Sequence, residues 1–137
     1  SRARLNAYLT ASFRPPVTDP ELLGAWTAFW ALARSDARMA DIHAESYAGY
    51  RERLGELLTA CGAGDAERLA IMLTAMVDGL WLELSLDSTS FGAEAAVQMV
   101  EGRVSALVKP GAPGRPGRRA VISKDRAAGC PNARAPG

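Results

Sequence analysis

Trp26, Phe29 and Trp30 stand three and four residues apart, and Tyr47 follows His43 by four and precedes Tyr50 by three. Asp78 and Trp81 make a third set, again three apart. On helices these spacings put each set on one face. Packed against one another, the three faces would enclose an aromatic-walled cavity with one acidic group. That chemistry suits an organic cation, because ring faces attract positive charge and quaternary ammonium groups are the ligands best served by aromatic cages. A partly buried carboxylate would supply the counter-charge, and the bound cation would keep it ionised. The same residue types also build ordinary cores. Asp78 can equally meet an Arg or a backbone donor, in the pocket or across a dimer seam.

Catalysis would need a constellation that the sequence does not offer. His43 is the only histidine, which excludes multi-histidine metal sites and relays. There is no GxSxG, no HExxH and no glycine loop set to cradle a phosphate, so neither a catalytic residue nor a metal or cofactor is expected. Cys61 and Cys130 show no CxxC or ligand spacing and read as free thiols.

Charge divides the chain. Residues 1–108 hold nine Arg against fourteen Asp or Glu, a net −5, which offers nucleic acid no electrostatic footprint. Residues 109–137 hold seven basic residues against Asp125, a net +6, and ten of the 29 are Gly or Pro. A segment of that composition cannot bury enough apolar surface to offset its ordering entropy, so 109–137 reads as a disordered tail. No apolar run reaches the ~18 residues of a membrane span, and no leader opens the chain, so no membrane partner and a cytoplasmic location are expected. The first residue is Ser1, inside an expected helix, which suggests a piece of a longer protein.

Five segments carry the apolar periodicity of helices, and none that of a strand. Arg2–Phe13 stops at Pro15-Pro16. The second opens at "TDPELL", where Asp19 can cap and Pro20 suits the first helical position, and it runs to Ala33. Asp36–Cys61 presents one long stripe from Met39 to Cys61, ended by "CGAGD". Ala66–Leu86 is apolar over most of its circumference, as befits a helix in the middle of a bundle or between subunits. Gly92–Val108 carries Val97, Val100, Val104 and Leu107 on one side. Residues 1–108 are therefore expected to form an all-α, five-helix bundle.

"WTAFW" (26–30), "IH" (42–43) and "DGLWL" (78–82), in this order and spacing, resemble the C-terminal domain of BetI-type repressors, choline-responsive members of the TetR family. The resemblance runs from about Arg4 to Leu107 and implies a division of labour. The last two helices would pack against their two-fold mates as a four-helix homodimer interface, through Val97, Val100, Val104 and Leu107. Ala75 and Gly79 would be points of close approach. The effector, choline or a similar cation, would lie among the other helices, against Trp26, Phe29, Trp30, Tyr47, Tyr50, Asp78 and Trp81. Operator DNA would be bound only through an N-terminal helix-turn-helix that this sequence does not include. The competing expectation is a helical homodimerisation module with a filled core and no ligand.

Overall fold

Three aspartates start three of the helices. Asp19 accepts from the Glu21 amide at 3.0 Å, Asp36 from Met39 at 3.1 Å and Asp65 from Arg68 at 3.3 Å, each satisfying an orphan donor of the first turn. The computed structural model describes residues 1–108; the expected tail, with Cys130, lies outside the described residues. The elements are α1 (Arg2–Thr10), a 3-10 turn (Ala11–Phe13), α2 (Pro20–Ala33), α3 (Ala37–Ala60), α4 (Ala66–Leu86) and α5 (Ala93–Leu107). The described residues contain helices and no strand, the expected all-α, five-helix arrangement. The first helix ends sooner than its periodicity suggests, because Arg14 precedes a proline and is extended, with ψ of 151°. At the end of α3, Gly62 takes φ of 82°, which lets its amide reach Thr59 O and the Ala63 amide reach Leu58 O. These are the two bonds of a Schellman stop.

The core gathers Leu5, Leu9 and Phe13, the last turns of α3 (Leu54, Leu57, Leu58), one side of α4 and one side of α5. Each of its leucines contributes about 1.5–3 kcal/mol by leaving water. In contrast, α2 has no fully buried residue. One half of the molecule is thus a solid four-helix core, and in the other half α2 leans on α3 and α4 without filling the space between them.

α5 turns its apolar side inward. Val100 and Val104, expected at a dimer seam, are 0% exposed within the chain's own core, and Val97 and Leu107 pack against the same cluster. α4 is different, since its apolar circumference exceeds what one core can cover. Ala70, Leu73, Thr74, Val77, Trp81 and Leu84 are buried, while Met72, Ala75, Gly79 and Leu86 lie on the opposite, exposed face. By length and composition alone α4 could also cross a bilayer, with a mean hydropathy of 1.6, which corrects the expectation that no stretch would qualify. A core helix passes that same test. A Cβ built on Gly79 meets nothing within 4 Å, so among the described residues no other helix approaches it.

Val104→Asp should therefore abolish cooperative thermal unfolding, because it buries an unpaired charge in the chain's own core. A cooperative melt followed by circular dichroism, with only the dimer lost, would place α5 at a seam instead.

Candidate effector cavity

The half covered by α2 contains a cavity of about 430 Å³. Leu22, Trp26 and Trp30 line it from α2, where four-residue steps keep them on one face. Ser46, Tyr47 and Tyr50 line it from α3, and Thr74, Val77, Asp78 and Trp81 from α4. Ser12 and Val17, before α2, complete the wall.

The aromatic groups hold each other in place. Trp30 meets Trp81 edge to face, with centroids 5.5 Å apart, and Tyr50 stacks on Tyr8 at 4.9 Å. Trp26 packs at right angles on Phe29 at 5.8 Å, and Phe29 faces His43 at 6.2 Å. His43 in turn stacks on Tyr47 at 4.2 Å, and the Arg51 guanidinium lies 5.6 Å from the centroid of the same ring. Such pairs add about 0.5–1.5 kcal/mol beyond area burial.

Of the seven residues singled out for ligand contact, Trp26, Trp30, Tyr47, Tyr50, Asp78 and Trp81 line the cavity. Phe29 does not; it stands behind, bracing Trp26 against His43. Among the lining residues that spacing did not single out, Thr74 and Val77 lie one turn before Asp78 and Trp81, and Leu22 one turn before Trp26. That same periodicity would have found them. Val17, in a loop, carries no periodic signal.

Asp78 is the centre of the electrostatics. Burial raises its pKa, and the Tyr47 hydroxyl, which donates towards it, pulls the other way, together with the charges of His43 and Arg51. Among the described residues neither salt bridge involves Asp78. Burial first, then Asp78, raises the pKa of Tyr47; burial, then Tyr8 and Asp78, raises that of Tyr50, so both phenols stay neutral. Among the described residues, the Trp81 indole N–H and the Tyr50 hydroxyl are buried without a hydrogen-bond partner. Each such group costs free energy, which a well-filled core would avoid.

The raised pKa sets a sign. The folded carboxyl holds its proton more tightly than the unfolded one, so its ionised form works against folding above the folded pKa. That penalty disappears as pH falls through the carboxylate range. Asp78→Asn should accordingly raise the melting temperature of the ligand-free chain at neutral pH, and the gain should vanish in acid. Melts at several pH values check this; a lower melting temperature for the variant at neutral pH would show a favourably paired carboxylate.

The profile of the family described as "BetI-type transcriptional repressor, C-terminal" matches residues 1–109. The HTH-type transcriptional regulator BetI of Rhizobium meliloti is 34% identical over 119 residues, which is 83% of this chain and 57% of that protein. The BetI regulator of Agrobacterium fabrum is 31% identical over 105 residues, covering 73% of this chain and 49% of its own length. A crystal structure of a transcriptional regulator from Pseudomonas aeruginosa PAO1 superposes with a TM-score of 0.67 at 40% identity, covering 76% of this chain and 53% of that one. This chain thus spans about half the length of these proteins, each of which is named as a transcriptional regulator. An all-α bundle matched by this profile over the whole of its described length belongs to the BetI-type branch of the TetR-family transcriptional regulators, as their C-terminal domain.

Proposed function

We propose that the cavity senses choline or a related quaternary ammonium, and that its occupancy biases a homodimer of a cytoplasmic, operator-binding repressor. The observation that carries this reading is Asp78, a carboxylate without an ion pair among the described residues, in a cavity walled by Trp26, Trp30, Tyr47, Tyr50 and Trp81. Desolvation strengthens both the cation–ring attraction and the charge pair, so a bound ammonium would offset the cost of burying the carboxylate. A dimerisation module with a filled core accounts less well for a cavity of this size. Operator contact falls to the part of the relatives outside the matched region.

For the second copy, the outward face of α4 is the proposed seam. Met72 and Leu86 are exposed there, and Ala75 and Gly79 between them would let a two-fold mate come close. Gly79 then has a reason that the chain's own packing does not supply. Effector binding would act by favouring one dimer geometry over another.

Tryptophan fluorescence, titrated with choline, glycine betaine and the uncharged isostere 3,3-dimethylbutanol, tests the ligand. Choline should quench saturably and stabilise by about RT ln(1 + [L]/Kd), close to 2.7 kcal/mol at a hundredfold excess over Kd. Trp30→Ala should weaken binding at least tenfold while the chain stays folded; an unchanged response would remove Trp30 from the site. Met72→Asp should retain helix content yet give a monomer by light scattering, whereas a surviving dimer would refute the α4 seam.

A further inference from the structure

The cavity is bigger than the ligand its acidic end calls for. A trimethylammonium group with a short hydroxylated arm fills on the order of 150 Å³ at interior packing density, well under half of the roughly 430 Å³ present. The remaining space has a direction. Trp30, which meets Trp81 beside Asp78, lies eight residues along α2 from Leu22, or about 12 Å at 1.5 Å per residue. Between them stands Trp26, and Val17, in the turn before α2, also lines the wall.

Leu22 and Trp26 line the cavity and yet are 39% and 41% exposed, so they border both cavity and solvent. Large apolar side chains so placed at a cavity mouth are what an apolar ligand group covers. Ser12 adds one hydroxyl to the wall, and among the described residues no charged one lines the cavity apart from Asp78. The end remote from Asp78 is therefore suited to hydrocarbon or an aromatic ring, not to a second charge.

Resting on the cation reading above, we infer that the preferred occupant is an organic cation larger than choline. Its quaternary ammonium lies at Asp78, and an apolar arm runs along α2 over Trp26, Leu22 and Val17. Each methylene drawn from water into this end adds attraction in proportion to the area it buries, and α2, with no fully buried residue of its own, gains a hydrophobic contact.

The test is calorimetric titration of the chain with tetramethylammonium, choline, and butyl-, hexyl- and benzyltrimethylammonium, alongside an uncharged tert-butyl analogue of the hexyl compound. Affinity should rise about two- to fourfold per added methylene, leaving the hexyl and benzyl compounds at least tenfold tighter than choline. Leu22→Ser, at a half-exposed position that the fold does not need, should cost the hexyl compound at least fivefold more than it costs tetramethylammonium. Cation-selective binding that is flat along the series, or tightest for choline, overturns the apolar arm and leaves the cation site standing. A series that rises equally for the uncharged analogue overturns the cation site itself, and this inference with it.

Discussion

α4 is a helix with three duties, and the rest of the molecule is arranged around how it divides them. One side, through Leu73, Val77 and Leu84, closes the core with α1, α3 and α5. A second, through Thr74, Asp78 and Trp81, faces the cavity. The third, through Met72, Ala75, Gly79 and Leu86, is left in solvent. A single amphipathic helix needs one apolar stripe. α4 is apolar nearly all round because core, cavity and outward face each take a share, and Asp78 is the polar exception where the cavity begins.

This division explains the uneven distribution of packing. The half containing α1, the end of α3 and α5 carries the fully buried leucines and valines, including Leu5, Leu9, Leu58 and Val104 at 0% exposure. That half supplies stability. The other half holds a desolvated carboxylate, two neutral phenols and buried donors without acceptors, all of which cost stability. A domain tolerates such a concentration only where the solid half has stability to spare, and binding sites are where it is found. The core can be solid on one side and hollow on the other because α2 is held through a single face, between turns that start with the Asp19 and Asp36 caps.

The aromatic residues act in two tiers. Trp26, Trp30, Tyr47, Tyr50 and Trp81 line the cavity; Phe29, His43 and Tyr8 brace Trp26, Tyr47 and Tyr50 through ring contacts of 4.2 to 6.2 Å, while Trp30 and Trp81 brace each other. His43 therefore reaches the site through Tyr47. Arg51, four residues on, reaches Asp78 only as a nearby charge, without an ion pair. The carboxylate is thus moderated by these neighbours rather than paired with one of them.

By itself the sequence determined the helices, their starts and the aromatic faces, because each of these is local. A cap depends on one side chain and the amides two or three residues on, and a helical face depends only on spacing. Periodicity therefore sufficed to select Trp26, Trp30, Tyr47, Tyr50, Asp78 and Trp81. It could not say what lies opposite a face. Val97, Val100, Val104 and Leu107 form a clean apolar stripe, and a stripe is equally suited to the chain's own core or to a second subunit. The packing of α5 on α1 and α4 puts Val100 and Val104 inside the chain's own core and leaves Val97 and Leu107 partly buried at its edge. Phe29 shared a spacing with Trp26 and Trp30, but its rotation about α2 relative to α3 turned it towards His43 instead of the cavity. Gly79 is the converse case, since among the described residues nothing lies within 4 Å of a Cβ built there, an openness that no local spacing could show. What tertiary structure decided is the pairing of faces, because that depends on long-range packing that no local spacing encodes.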